Sequence, residues 1–277
     1  MFPVIGACSW SLQATSVPDL VALMKSVGAT ATHLGLGDPH HGKWAEGDDL
    51  VKALAASSLD ITATMVAFPG EDYSSPATIR KTGGLGPAAE FPARLEIFKR
   101  AVEQTRDLGV EILSLHAGFI PPSGDPERGS FLDRLGEAVE QAESQEVIVA
   151  LETGQESAEV LRRTLDEMAM DNLRVNFDPG NVVLYGSGDP IQALKILGRD
   201  IAHVHVKDAR PPSEPEQWGA EVPLGEGVVG MVAFLDALVA AEYVGPLIVE
   251  REVGTQEERV ADVRNGMQLL RRLMTQA

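Results

Sequence analysis

The sequence predicts an α/β protein folded as a single (β/α)8 TIM barrel with parallel strands, and three observations carry that prediction. Eight short apolar runs with strand character alternate with eight helix-period segments from one end of the chain to the other. The 277 residues are close to the roughly 250 that such a barrel needs. No Ser/Gly-rich or Pro-rich break divides the chain, so residues 1–277 read as one domain, closed by a helix over Gln256–Met274.

The strand candidates, in order, are Val4–Ser9, Ala31–Leu36, Ile61–Val66, Ile112–His116, Val147–Glu152, Leu173–Asp178, His203–Val206 and Leu247–Glu250. Each is short, apolar and followed by Gly, Pro or polar residues, the usual boundary of a strand. Between them fall the helix candidates. Val17–Val27 follows Ser16 as a cap, with Pro18 in its first turn. Leu50–Ser57 is a short amphipathic stretch, and Phe91–Leu108 is a longer one that stops at Gly109. Ser130–Glu143, Ala158–Met168, Pro190–Leu197, Met231–Ala240 and Gln256–Met274 complete the set. Two connections, Phe68–Ala89 and Ala209–Gly227, are long enough to serve as lids or binding loops.

Composition narrows the function. A formal charge of −18 argues against a nucleic-acid binder, whose affinity rests on Lys and Arg at phosphates, and against docking on an anionic membrane. It leaves room for a small neutral or phosphorylated substrate in a local pocket. Cys8 is the only cysteine, which excludes an intrachain disulfide. The start MFPVIGACSWSLQ lacks the basic and long apolar regions of a signal peptide, and no apolar run reaches the roughly 20 residues of a membrane span. The expectation is a soluble cytoplasmic protein, monomeric or homo-oligomeric.

Four side chains close successive strand candidates in the second half: Glu152 in VIVALETG, Asp178 in LRVNFDPGN, His205 in IAHVHVKD and Glu250 in GPLIVERE. Glu152 and Asp178 are 26 residues apart, and Asp178 and His205 are 27, about one β/α unit each. The 45 residues to Glu250 include the Ala209–Gly227 loop. Alternation puts Asn176 with Asp178, His203 with His205, and Ser114 with His116 on one face, opposite apolar neighbours. In a barrel the outward face meets helices, so these polar residues face inward toward the end where barrel enzymes build their sites. Three carboxylates and one imidazole suit Mn²⁺ first, accept Mg²⁺, Co²⁺ or Zn²⁺, and lack the thiolates of a structural zinc site. Burying three carboxylates together without a cation would be costly.

The segments LETG, NFDPGN, HVHVKD, VPLGEGVVG and IVERE make the chain resemble the xylose isomerase-like barrel superfamily, over nearly its whole length. That superfamily comprises sugar and sugar-phosphate isomerases and epimerases and the endonuclease IV (AP endonuclease family 2) group. The resemblance implies that Glu152, Asp178, His205 and Glu250 bind one divalent metal. It also implies that Glu152 and Glu250 move the substrate proton, as the metal-bound glutamates do in ketose 3-epimerases. The chemistry is coherent: charge developing beside a carbonyl is stabilised as an enediolate, and the destination of the proton decides the product. Return from the opposite face epimerises, return to the next carbon isomerises, and loss of a β-hydroxyl dehydrates. A lyase on a cyclic polyol ketone, resembling inosose dehydratase, is therefore the alternative. An abasic-site endonuclease and a non-catalytic sugar-binding barrel rank below it. Two departures from the family pattern stand out. Asn181 occupies a position where epimerase and endonuclease relatives commonly carry His, which argues against a multi-zinc nuclease centre. Ala158 stands where 3-epimerases place a second substrate-binding Glu, with Glu156 as a nearby substitute.

The remaining candidates are contacts to a sugar or polyol substrate: His116, Asn181, Lys207, Arg210, His33 and Trp10, with Trp218 as a lid residue. His203, two residues before His205 on the same face, is expected to support the ligand. In a regular strand Lys207 leaves the ligand face; it pairs with Asp208, or reaches substrate if the strand ends there. Gly83–Gly84 lacks the GK[ST] of a phosphate loop, and Gly225 and Gly227 read as turn glycines.

Overall fold

A computed structural model describes residues 4–36, 48–214 and 216–275. The first three residues of the amino-terminal run and Pro215 of the seventh loop lie outside the described residues. Eight parallel strands close into a barrel: β1 (Ile5–Cys8), β2 (Ala31–Leu36), β3 (Asp60–Val66), β4 (Ile112–Leu115), β5 (Ile148–Glu152), β6 (Leu173–Phe177), β7 (Ile201–Val206) and a closing strand, β10 (Leu247–Val249). Each strand pairs with its sequence neighbours, and β10 closes the ring between β7 and β1. All eight strand candidates are present, most within a residue or two of the expected bounds.

Helices α1 (Val17–Val27), α2 (Asp48–Ala55), α4 (Phe91–Asp107), α5 (Arg128–Glu143), α6 (Ala158–Met168), α8 (Pro190–Leu197), α9 (Met231–Ala240) and α10 (Gln256–Met274) occupy the expected intervals. Local chemistry fixes several ends. The Ser16 hydroxyl accepts the Asp19 amide and Gly28 closes α1 at φ 77°, a conformation open to glycine. Thr255 and Glu258 form a reciprocal capping box at α10. The long connections are more ordered than their sequences suggest. Phe68–Ala89 contains α3 (Pro76–Thr82), which opens on a Ser75–Thr78 capping box. Ala209–Gly227 folds onto itself as an antiparallel pair, β8 (Asp208–Arg210) with β9 (Ala220–Val222). A further short helix, α7 (Pro179–Leu184), begins immediately after β6.

Outward-facing residues such as Leu113, Val149, Val175 and Val204 are buried beneath the helices. The barrel interior is polar, as the alternation predicts. Asn176 donates to the Ser114 hydroxyl at 3.2 Å, and its carbonyl oxygen meets His203 Nδ1 at 3.1 Å. His203 Nε2 lies 3.0 Å from the Thr62 hydroxyl. His33, Ser114, Asn176, His203 and His205 are all fully buried. A register shift between Val175 and Asn176 brings Asn176 opposite His203. This hydrogen-bonded layer is the floor on which the site stands.

Candidate functional site

Four neighbouring strands in barrel order, β10, β7, β6 and β5, deliver the four acidic and imidazole side chains to one rim. Glu152 is the last residue of β5, and His205 lies within β7. Asp178 and Glu250 stand one residue beyond β6 and β10. Asp178 doubles as the N-cap of α7, its Oδ1 accepting the Asn181 amide at 2.9 Å. Each of the four residues offers one ligand atom, and these atoms all lie within 4.8 Å of one another. His205 Nδ1 is 3.0 Å from Glu152 Oε1, 3.4 Å from Glu250 Oε2 and 3.8 Å from Asp178 Oδ2.

The hydrogen-bond pattern shows what this arrangement lacks. Each carboxylate has one oxygen tied down. Glu152 Oε1 accepts from Asn181 Nδ2 at 3.1 Å, Asp178 Oδ1 from the Asn181 amide, and Glu250 Oε1 from Trp10 Nε1 at 2.6 Å. The other oxygens, Glu152 Oε2, Asp178 Oδ2 and Glu250 Oε2, are buried and make no hydrogen bond of acceptable geometry. Buried carboxylate oxygens that make no hydrogen bond are costly, and a cation held among the three carboxylates would offset that cost. The donor set therefore fits a divalent metal ion.

Lys207 partly fills that electrostatic role. It is 1% exposed, and its ammonium lies 2.7 Å from Glu250 Oε2, 2.8 Å from Glu252 Oε2 and 3.5 Å from Asp178 Oδ2. It also donates to Asn181 Oδ1 at 3.1 Å. Burial opposes its charge, but Glu250, Glu252, Asp178 and Glu221 outweigh burial and hold it protonated. Burial likewise raises the Asp178 and Glu250 carboxyls, and Lys207 followed by His205 overcomes that, leaving both below the usual carboxylate range. Burial works against a charge on His205. The Glu250 and Glu152 carboxylates, with Asp178 close by, oppose it and raise the ring well above the usual histidine range. Asp178 and Glu250 are therefore ionised at neutral pH, whereas burial keeps Cys8 a neutral thiol. Burial, with His203 and His205 adjacent, holds His33 neutral.

A cavity of about 670 Å³ opens above the four residues, lined by Trp10, Tyr73, His116, Asn181, Tyr185, Trp218 and Glu250 among others. The two long loops meet over it. Trp218 Nε1 donates to the Tyr73 carbonyl at 3.0 Å and packs edge-on against Tyr185, with ring centroids 4.7 Å apart. Burial raises the Tyr185 hydroxyl, which remains a proton donor at neutral pH.

The other candidates separate into two groups. Trp10, His116 and Asn181 line the cavity, and His116 Nε2 lies 3.4 Å from Glu152 Oε2. Lys207 also reaches this site, correcting its placement off the ligand face of a regular strand. Strand β7 ends at Val206, and Lys207, two residues after His205, keeps the inward side that the period of two gives His203 and His205. It does not pair with Asp208, whose carboxylate accepts the backbone amides of Ala209, Gly225, Gly227 and Val229. Gly227 is required there, because a Cβ would stand 2.1 Å from Asp208 Oδ1. His33 lies behind His205 rather than in the cavity, with its Nδ1 2.7 Å from His205 Nε2. Arg210 is exposed in β8, donates to the Glu226 carbonyl and does not line the cavity. His203 lies in the layer beneath. Glu156 stands near His116, where burial pushes its carboxyl up to about 7 against the lowering effects of its own backbone amide and His116. Sequence reasoning missed Glu252, Glu221, Tyr73 and Tyr185. Only Glu252 carried a signal, as the second acid of IVERE.

Comparison with known proteins accords with this architecture. The pattern of the xylose isomerase-like TIM barrel family matches residues 21–273. The L-ribulose-5-phosphate 3-epimerase UlaE of Escherichia coli O1:K1 / APEC is 27% identical over 190 residues, 66% of this chain. The match spans 64% of that relative's length. A xylose isomerase domain protein from Planctomyces limnophilus superposes with a TM-score of 0.88 at 29% identity, covering 99% of this chain and 98% of its own. An L-ribulose 3-epimerase shares the fold at a TM-score of 0.75 and 17% identity, covering 100% and 95%. Among the described residues no helix is long and apolar enough to cross a membrane. With its closed eight-stranded barrel and a match over most of its length, the chain belongs to the xylose isomerase-like TIM barrel family.

Proposed function

We propose that this protein is a divalent-metal-dependent isomerase or epimerase of a sugar or sugar phosphate, working by proton abstraction next to a carbonyl. One observation carries the reading: three buried carboxylates each keep one oxygen in a hydrogen bond and one outside any, and one ligand atom of each gathers with His205. The epimerase names of UlaE and of the L-ribulose 3-epimerase support the reaction class.

Glu152, Asp178, His205 and Glu250 would hold the ion, with Mn²⁺ favoured and Mg²⁺, Co²⁺ or Zn²⁺ compatible with the donors. When bound, the ion supplies Lewis-acid stabilisation of the negative charge that develops on a carbonyl and its adjacent hydroxyl. The residues perform the remaining steps. Glu152 and Glu250 sit at the two ends of the four-strand arc, so they approach a bound ketose from different sides. One takes the proton from the carbon beside the carbonyl. The other returns a proton to the opposite face for epimerisation, or to the neighbouring carbon for isomerisation. Lys207 and Asn181 orient the carboxylates and offer donors to substrate oxygens, while His116, beside Glu152, contacts a substrate hydroxyl. Trp10 fixes Glu250 and walls the sugar ring. The Tyr73–Trp218 contact keeps the two loops over the cavity and limits access of water.

The test is incubation of metal-loaded protein with a panel of free and phosphorylated ketoses in D₂O. Deuterium at the carbon beside the carbonyl is the expected result. Its absence across the panel would overturn the proposal, and growth of a conjugated-enone absorbance would move the assignment to a lyase.

A further inference from the structure

The mechanism leaves two buried imidazoles unused, His33 and His203, and the position of His33 gives it a task. We infer that His33 is a positioning residue: its Nδ1 accepts the Nε2–H of His205 and thereby leaves His205 Nδ1, facing the three carboxylates, as the nitrogen a cation can take. This inference rests on the metal-site reading above.

The geometry is specific. His33 Nδ1 and His205 Nε2 are 2.7 Å apart, and both rings are fully buried. The other nitrogen of His205 is the one that faces Glu152, Asp178 and Glu250. A neutral imidazole carries a single N–H, so a proton held on Nε2 leaves the Nδ1 lone pair available to a cation. The reverse polarity, with His33 donating, would put the His205 proton on Nδ1 and close that lone pair.

Other contacts keep both rings in place. Trp10 packs edge-on against His33 and His205, with ring centroids at 5.1 and 5.7 Å. His203 packs edge-on against His33 at 4.6 Å. His203 is itself held on both ring nitrogens, by Asn176 Oδ1 and the Thr62 hydroxyl. A register shift between Thr32 and His33 in the pairing of β2 with β3 falls at this residue. Asn176 Nδ2 is the competing neighbour, at 3.3 Å from His205 Nε2 and 3.5 Å from Nδ1. Those near-equal distances place it beside the ring rather than on either lone pair, and it already donates to Ser114. The remaining nitrogen of His33, Nε2, has no hydrogen-bond partner of good geometry, although the Thr64 backbone acts on the ring, and His205 at 2.7 Å is the side-chain contact of its Nδ1.

The experiment combines nitrogen-15 NMR of the histidines, with and without Mg²⁺, and Mn²⁺ titration calorimetry on wild type, His33→Leu and His33→Asn. The asparagine side chain keeps an acceptor near the Nδ1 position; leucine removes it. His205 should show a protonated Nε2, and His33 an unprotonated Nδ1, in both metal-free and loaded wild type. His33→Leu should bind Mn²⁺ about 10–100-fold more weakly, and His33→Asn should recover most of the loss, a rescue that lost packing alone would not give. Should the leucine variant fail to fold, the asparagine variant and the wild-type spectra decide. A protonated His33 Nδ1, or undiminished Mn²⁺ affinity in folded His33→Leu, would overturn the inference while leaving the metal site intact. A wild type that binds no divalent ion would instead overturn the metal reading, and the tautomer spectra would then decide His33 alone.

Discussion

Replacing Lys207 with Met separates the two positive charges that the site is built to hold. The ammonium stands within 3.5 Å of Asp178, Glu250 and Glu252 and is 1% exposed. Methionine preserves most of the stem, which packs against the Gly180 backbone so closely that a Cβ on Gly180 would meet Lys207 Cγ at 2.6 Å. Removing one partner of a buried ion pair costs about 3–5 kcal/mol. Glu252 is half exposed and regains water, which favours the lower end. At about 2–4 °C per kcal/mol for a chain of this size, metal-free Lys207→Met should melt about 6–12 °C below wild type. The metal response should move the other way. In the metal-free protein three carboxylates face the Lys207 ammonium and a protonated His205, and exchange of the His205 proton for a divalent ion brings these charges into balance. Without Lys207 the carboxylates depend on that ion more, and the repulsion between ammonium and ion is gone. A ligand at 100 times its Kd stabilises by about 2.7 kcal/mol; the Mn²⁺-induced rise in Tm should be larger in Lys207→Met than in wild type. Thermal melts in chelator and in Mn²⁺ measure both quantities. An unchanged metal-free Tm, or a smaller Mn²⁺ increment in the variant, would refute the reasoning.

Three other expectations follow from the same geometry. Glu152→Gln should reduce solvent-deuterium exchange by about 10²–10⁴-fold, the usual span for a lost acid–base group, or lower Mn²⁺ content, with little change in Tm; an unfolded variant that kept its activity per folded molecule would contradict the role of Glu152. Glu156 is a carboxyl whose folded pKa is raised to about 7, so its ionisation works against the fold as pH climbs from the unfolded value, about 4.3, toward 7. Glu156→Gln should therefore match wild type below pH 4, gain stability across that window and hold the gain above it, and a gain that shrank with rising pH in denaturant titrations would have the wrong sign. Asp208→Ala strips the acceptor from four backbone amides, at about 1–3 kcal/mol for each buried donor left unpaired. Hydrogen exchange should accelerate at Gly225, Gly227 and Val229 while the barrel strands stay protected, and unchanged protection there would dismiss the clamp.

Much of this architecture is legible in the sequence because barrel strands obey a strict period of two. The inward placement of Ser114, Asn176, His203 and His205 follows from alternation alone, and the regular spacing of β/α units brings Glu152, Asp178 and His205 to one rim. What escapes is set where the period stops. Lys207 is one residue past β7, where the period of two still aims it inward with His203 and His205; its burial among Asp178, Glu250 and Glu252 is what the pattern does not show. The short helix α7 is invisible as a periodic pattern, yet it puts the Asn181 amide on Asp178 and the Asn181 side chain between Glu152 and Lys207. Alternation tells that His33 faces inward but not its depth, and depth is what separates a substrate contact from a prop behind His205. Arg210 begins the long loop as expected, but β8 pairs with β9 and carries its side chain to solvent.

Anomalous diffraction at the manganese edge, from crystals grown with Mn²⁺, tests the central claim most directly. The expected map has one strong peak in contact with Glu152, Asp178, His205 Nδ1 and Glu250. A map with no peak among these four residues, under conditions where the ion appears elsewhere on the protein, would contradict it.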